Sequence, residues 1–398
     1  MSSSSSYIQA TASSARPPPK TVLVTGAAGC IGFAVSRAFA RAGWAVYGLV
    51  RRASAADALR AEEVTPVVGA IGPDLGFVDA LLRAAGRPFD VVVSCTEQMP
   101  FDDHWRDLLA LLGRVGAHAR ALGAPRPLVL MSSGCKDYGV TARHGDAGLA
   151  PHTEDSPLDP PALVAGRARC ALEALGHPDL FDGVVVRPTP LFGYGGSYYG
   201  VIFDALGQQL RKQQEEEEKK KSKDGAAEVT VIRVPGHADT IYHGCHVDDC
   251  ADAYVALAAH ADRAAVVRGR CYNVSAHRYE TVGDILSALS GGAYEGLRII
   301  ASSPDEGEEI VDPTLRLLAP VLGYSQWVAS DKIRALTGWS DRRPLFSEAP
   351  GLYRRAYEVA AGAGDAGVAR IRDRVAGWVA EGIEFEGARS KAVGIGGE

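Results

Sequence analysis

Short apolar runs alternate with amphipathic stretches from residue 20 to about residue 190, in the rhythm of strand, helix, strand. Thr21–Thr25 is an apolar run of strand length, Ile31–Ala42 has helical spacing, Gly43 stops it, and Trp44–Val50 is a second strand. The series continues with a strand near Thr65–Val68, a helix over Val78–Ala85 and the apolar strand Asp90–Cys95. A helix over Trp105–Leu122 and the strand Pro127–Met131 follow, and the helix Pro161–Gly176 leads into a sixth strand, Gly183–Arg187. Strands separated by helices pair in parallel through right-handed crossovers, so the pattern predicts an α/β fold with a doubly wound parallel sheet.

Beyond Pro188 the periodicity breaks into a Gly-, Tyr- and Pro-rich stretch up to Gly200, as expected where loops build a ligand pocket. The run 208–225 is a charged low-complexity insertion that extends a helix begun at Val201 into solvent, with Glu-to-Lys pairs about a turn apart. Residues 1–19 are Ser-, Ala- and Pro-rich and read as a disordered tail, and 386–398 read as a frayed end. The organisation expected is a nucleotide-binding domain over 20–190 and a smaller part over 191–385, interleaved with the last elements of the first.

Composition narrows the picture. With 46% hydrophobic and 23% charged residues, 398 residues are ample for one large α/β unit or two domains. A net charge of −6 argues against a nucleic-acid or anionic-membrane partner. No run approaches the roughly 18 apolar residues of a membrane span, and the Ser-rich start lacks a secretory h-region. The seven cysteines form no C-x-x-C pair and most lie in apolar runs, which reads as reduced, mostly buried thiols in a cytoplasmic setting. The ten histidines show no metal-ligand spacing, so no metal site is expected.

Candidate chemistry begins at TVLVTGAAGCIGFAVSRAFA, where Gly26, Gly29 and Gly32 stand between the first strand and the first helix. Gly26 permits the tight turn, Gly29 lets backbone N–H groups approach a pyrophosphate, and Gly32 lets the helix pack close to the sheet. Gly26, Ala28, Gly29, Cys30, Ile31 and Gly32 are therefore the expected phosphate-binding turn of a dinucleotide site. The end of the second strand reads VYGLVRRAS, with Arg51 and Arg52 where an acid would bind the ribose 2′-OH of NAD. A guanidinium fork suits a 2′-phosphate, so NADP is favoured over NAD; the competing reading is two solvated surface arginines.

Several segments in order resemble the extended short-chain dehydrogenase/reductase family, also called the NAD-dependent epimerase/dehydratase family. They are TGAAGCIG (25–32), LVLMSSGCKDYG (128–139), EDSPLDPPALVAGRARCALE (154–173), VVVRPTPLFGYGG (184–196), HVDDCADAYVAL (246–257), YNVS (272–275) and SDKIRALTGW (330–339). The resemblance implies a Rossmann-like N-terminal domain, a smaller C-terminal substrate-binding part, and an active site between them. It also implies dimers through long helices, so a homodimer is a possible partner arrangement beside a small-molecule substrate. The family's chemistry uses a Tyr-x-x-x-Lys pair on one helix, with a Ser or Thr after the fifth strand, around a nicotinamide that exchanges hydride.

The chain departs from that pattern. Aligning on Gly166 and Glu173 puts Ala165 at the Tyr position and Arg169 at the Lys position, and Gly134 falls where the Ser or Thr usually sits. Arg169 is then expected to hold the cofactor ribose without shuttling a proton, since guanidinium stays protonated. Tyr138 is the first candidate for the replacement acid, with Ser133 beside it and Ser132 adjacent. Tyr194, Tyr198, Tyr199, His144 and His152 are further candidates, each weighed against an ordinary packed or exposed role. Thr96 and the backbone after Pro188 are expected at the nicotinamide half, and Glu97 is either a base near the cleft or a surface carboxylate. Ala70 stands where the family often has an Asp near the adenine, with Asp74 close by; Asp248 and Asp249 read as structural. Three functions stay open: an NADP-dependent oxidoreductase or epimerase on a sugar derivative or metabolite carbonyl, a non-redox isomerase, cyclase or lyase, and a catalytically silent NADP(H) sensor.

Overall fold

The computed structural model describes residues 18–220, 230–294, 296–302 and 312–381. The sequence expectations for residues 1–17, 221–225 and 386–398 lie outside the described residues.

The chain opens with β1 (Thr21–Thr25), α1 (Cys30–Arg41), β2 (Ala45–Val50), α2 (Ala56–Ala61), β3 (Thr65–Val68), α3 (Phe77–Ala85) and β4 (Val91–Ser94). It continues through α4 (Phe101–Ala121), β5 (Leu128–Ser132), α5 (Ala162–Glu173), β6 (Asp182–Pro188), β7 (Leu191–Phe192) and α6 (Tyr199–Lys220). After β8 (Thr230–Pro235) and β9 (Cys245–His246) come α7 (Val247–Ala259), α8 (Arg263–Gly269), β10 (Cys271–Val274), α9 (Val282–Gly292) and β11 (Leu297–Ser302). The last helices are α10 (Pro313–Arg316), α11 (Ala319–Leu322), α12 (Asp331–Thr337), α13 (Pro350–Gly362) and α14 (Ala366–Ala380).

Seven strands form one parallel sheet in the order β10-β6-β5-β4-β1-β2-β3. Successive side chains of a strand face opposite ways, and both faces are covered, which is why these runs are apolar throughout. Val22 and Val24 of β1, Val91 and Val93 of β4, and Leu128 and Leu130 of β5 bury into one core with α1 and α7. Leu23, Val92, Val129 and Met131 bury into the other, with α3, α4 and α5. The doubly wound sheet is therefore as expected. A second, C-terminal core gathers α6, β8, α9, β11, α13 and α14 around Ile202, Leu206, Phe346 and Tyr357. The parallel pair β11-β8 lies within it.

Two elements begin more than one residue away from the pattern reading. α4 begins at Phe101 rather than Trp105, because Asp102 and Asp103 favour the positive end of a helix and Pro100 immediately precedes it. The long helix α6 begins at Tyr199 and runs to Lys220, taking in the start of the charged insertion. All seven cysteines are free thiols, four buried and three partly buried. Among the described residues no helix is long and apolar enough to cross a membrane, and no group of His, Cys, Asp and Glu has the arrangement of a metal site.

The backbone approaches closely at the glycine turn. A Cβ on Gly32 would sit 2.2 Å from the Gly26 carbonyl oxygen, so α1 can meet β1 only with glycine there. Gly32→Ala is expected to cost about 1–3 kcal/mol through overpacking. Gly113, inside α4, has no atom nearer than 3.9 Å to a built Cβ. Gly113→Ala is expected to stabilise by about 0.5–1 kcal/mol through helix propensity. Urea denaturation of the two variants reads both signs.

Candidate functional site

The sheet order reverses between β1 and β4, and in open α/β sheets ligands bind outside the carboxyl ends of the strands at such a reversal. A crevice lies there. Ile31 stands on its glycine-turn side, Thr96, Glu97 and His104 on the β4–α4 side, and Ser133 and Arg167 on the β5–α5 side.

The turn itself is built for an anion. Gly26 has φ +68°, and a Cβ there would press to 2.7 Å from the Cys95 carbonyl, so the turn needs glycine on two counts. Gly29 is the N-cap of α1 with no side-chain cap, and the first turn of α1 carries no acidic residue. Its first N–H groups thus lack intrahelical partners, and the turn adds no negative charge of its own. Burial pushes the Cys30 thiol up to about 12, so it stays neutral beside them. These residues fit a pyrophosphate. Arg51 and Arg52 follow β2 and are both exposed, and Arg51 is close enough to act on the His104 imidazole.

Asp137 organises the opposite side. It is fully buried on the short turn after β5 and accepts hydrogen bonds from the Ser133 hydroxyl and from Arg167 Nη2 at 2.7 Å. Arg187 Nε, from β6, lies 3.4 Å away. Arg167 is thereby turned into the crevice, where its Nη1 also lies 3.7 Å from Glu97. Residues two apart on a helix differ by about 200° in direction, so Arg169 must point away. It does: Arg169 is exposed and pairs with Asp102 and Glu173. The alignment that placed Arg169 at the cofactor is corrected to Arg167, which sequence reasoning missed. The register is fixed by tertiary packing, since a Cβ on Gly166 would meet Phe101 of α4 at 2.8 Å.

Tyr138 also needs correction as the candidate acid. Its hydroxyl donates to Asn273 at 2.7 Å and accepts from Arg187 at 2.9 Å, and its ring stacks on His152. Burial raises its pKa further. Ser133 does line the crevice, but its proton is committed to Asp137. Pro188 ends β6 in register with Val274, beyond β5 from the reversal. Thr96 lines the crevice, with its hydroxyl 3.0 Å from His104 Nε2 and 3.4 Å from Thr25. Burial lowers the His104 pKa, so that imidazole is neutral near pH 7. His104 is a second missed residue, and the Pro-Phe-Asp-Asp helix start was its signal.

Of the other tyrosines, Tyr199 is packed in the second core and Tyr194 donates to Asp248 at 2.8 Å. Tyr198 accepts a hydrogen bond from Arg374 at 3.0 Å and lies within reach of the charges of Glu97 and Arg167. Burial raises its pKa, so it stays protonated. His144 pairs with Tyr279 and His152 with the Val140 carbonyl. Asp248 and Asp249 are structural as read: Asp249 accepts the N–H groups of Arg342 and Arg343, and Asp248 holds Arg37 and Arg343.

Comparison with known proteins places this geometry. A model described as the NAD dependent epimerase/dehydratase family matches residues 22–275. The spore coat polysaccharide biosynthesis protein SpsK of Bacillus subtilis (strain 168) is 27% identical over 226 residues, 56% of this chain and 72% of that protein. Among solved structures, UDP-glucuronic acid 4-epimerase from Bacillus cereus in complex with NAD superposes with TM-score 0.58 at 15% identity, over 85% of this chain and 99% of that one. RMD from Pseudomonas aeruginosa complexed with NADPH gives TM-score 0.55 at 18% identity, over 85% and 99%. At such identities the structural likeness speaks for the fold.

Beside Asp137, burial and then the charge of Arg167 push the Lys136 ammonium down to about 7 from its ordinary 10.5. Between those two values the unfolded chain holds a proton that the folded chain has released, so raising the pH favours folding through this group. The stability of the wild type relative to Lys136→Met is expected to rise with pH from about 7 to 10, by at most about 1.4 kcal/mol per pH unit. Urea denaturation of both proteins at several pH values measures that difference, and the thiols common to both cancel.

Proposed function

The chain belongs to the NAD dependent epimerase/dehydratase family, and on that premise we propose that it is an NADP-dependent oxidoreductase or epimerase-like enzyme of the cytoplasm acting on a sugar derivative. The observation that carries the reading is the uncapped, carboxylate-free start of α1 at the sheet reversal, with Arg51 and Arg52 at the end of the neighbouring strand. The polysaccharide-biosynthesis relative and the nucleotide-sugar epimerase fold neighbour support a sugar substrate. The NADPH complex of another neighbour is compatible with NADP.

A nicotinamide bound here supplies or accepts hydride at the substrate carbon. The residues of the chain do the rest. The first-turn N–H groups of α1 would hold the pyrophosphate, and Arg51 with Arg52 would hold the 2′-phosphate. Arg167, fixed by Asp137, would donate hydrogen bonds toward the nicotinamide-side ribose. Being permanently charged it transfers no proton. The proton goes to the substrate oxygen from the hydroxyl of Tyr198, and Arg374 at 3.0 Å stabilises the phenolate left behind. The arrangement replaces a Tyr-x-x-x-Lys pair on one helix by a tyrosine and an arginine from the facing wall. A non-redox role remains the second reading, favoured by the lack of any tyrosine on α5.

Titration with NADPH and NADH, followed by cofactor fluorescence, tests the binding half. Tighter binding of NADPH is expected. Replacing both arginines (R51Q with R52Q) is expected to weaken NADPH about 10- to 100-fold with NADH unchanged. For the chemical half, a panel of ketones, aldehydes and nucleotide sugars is scanned for NADPH oxidation. With any substrate so found, Tyr198→Phe is expected to lower turnover about 100-fold or more with NADPH affinity kept. Tight NADPH binding with no oxidation across the panel would move the assignment to the non-redox reading. Undiminished turnover in Tyr198→Phe would remove Tyr198 from the mechanism.

A further inference from the structure

The C-terminal helix α14 lies beyond the segment matched by the family model, yet its Arg374 reaches Glu97 on the crevice wall. One stripe of it, Val368, Ile371, Val375 and Trp378, is packed into the second core, which fixes the direction of the rest. Near the start of the helix, Gly367 abuts the glycine loop before α6: a Cβ on Gly367 would lie 3.2 Å from the Cα of Gly196. Gly196 in turn rests on the beginning of α1, where its own Cβ would be 3.1 Å from Cys30 Cβ. The start of α14, the loop before α6 and the start of α1 thus pack glycine against backbone at Gly367, Gly196 and Cys30.

Two arginines one helical turn apart, Arg370 and Arg374, project from α14 on that side. Arg370 Nη1 lies 3.9 Å from where a Cβ on Gly29 would be, directly over the N-cap of α1. Arg370 is exposed and has no ion-pair partner among the described residues. Arg374 reaches further along the crevice, 3.8 Å from Glu97 and 3.0 Å from the Tyr198 hydroxyl. Glu97 stands between it and Arg167. An arginine pair spaced by about 6 Å of helix rise therefore spans the crevice from the turn to the catalytic end.

We infer that α14 completes the dinucleotide site, with Arg370 closing on the pyrophosphate from the side opposite the α1 N-terminus. This rests on the reading of the crevice as a dinucleotide site. The chemistry is complementary: two phosphate charges would lie between the partial positive charge of the helix start and a guanidinium that has no ion-pair partner among the described residues. The C-terminal part then binds cofactor as well as substrate.

The test is equilibrium binding, with no turnover needed. NADPH is titrated into wild type, Arg370→Gln and Arg370→Lys by fluorescence. Competition by 2′-AMP, which has a 2′-phosphate and no pyrophosphate, is measured in each. Arg370 is exposed, so all three proteins are expected to melt within a few degrees of one another without ligand. Arg370→Gln is expected to weaken NADPH about 10- to 100-fold, and the lysine variant less, while 2′-AMP competes unchanged. The thermal shift produced by NADPH is expected to shrink in the same order. Equal NADPH affinity in wild type and Arg370→Gln would overturn the inference and leave the site reading intact. Equal losses of NADPH and 2′-AMP would overturn it too, by making the effect general. Failure of the wild type to bind either NADPH or NADH would overturn the site reading itself.

Discussion

A carboxylate with no access to water fixes the geometry of the crevice. Asp137 is fully buried, and a charge in that position persists only if it is paired and hydrogen-bonded on every side. Ser133, Arg167 and Arg187 supply the partners, from the end of β5, from α5 and from β6. Each obligation constrains an element. The Ser133 hydroxyl is taken out of the pool of proton donors, α5 is rotated so that Arg167 faces inward, and Arg187 is drawn under Tyr138. Losing one partner of such a buried cluster typically costs about 3–5 kcal/mol, so the cluster holds these orientations firmly.

The same cluster explains why charge accumulates at the crevice. One carboxylate is set against two guanidinium groups, and Arg374 adds a third from the C-terminal helix. Glu97, 40% exposed at its side chain, lies between Arg167 and Arg374 and softens the excess without removing it. The surplus is positive on a chain whose net charge is −6. A local field opposed to that of the whole molecule concentrates anionic ligands at this spot, and the uncapped start of α1 adds to it.

Much of this was legible in the chain, and the rest was hidden for definite reasons. Strands buried on both faces leave continuous apolar runs, so β1, β4 and β5 could be read almost to the residue, and the glycine turn carries its own steric reason. Arg167 was missed because Gly166 and Glu173 anchor an alignment that is right in sequence, whereas the phase of α5 is set by Phe101 on a different helix. Tyr138 was misplaced because motif position says nothing about which way a ring turns, and Arg187 with Asn273 decides it from far along the chain. His104 was left in a loop by starting α4 one turn late, although two acidic residues marked the true start. The role of α14 had no signal in sequence at all, since its arginines acquire meaning only through the packing of Val368 and Val375.

Replacing an ammonium by a guanidinium has a consequence for how the two parts of the molecule work together. Lysine beside tyrosine on one helix makes a proton-handling pair that exists whether or not the second part is in place. Arg167 cannot share in proton transfer, and α5 offers no tyrosine, so the sheet domain holds a binding surface without an acid. The hydroxyl facing it belongs to the loop before α6, and the arginine that tunes it belongs to α14. Both hang from the second core, anchored by Val201, Ile202, Val368 and Val375. On the proposed mechanism proton transfer would depend on apposition of the two cores, and so would the proposed closing of Arg370 over the glycine turn. On that proposal Arg374, beside the acid, and Arg370, over the pyrophosphate, sit on one helix, so both ends of the site are held by the same packing of α14.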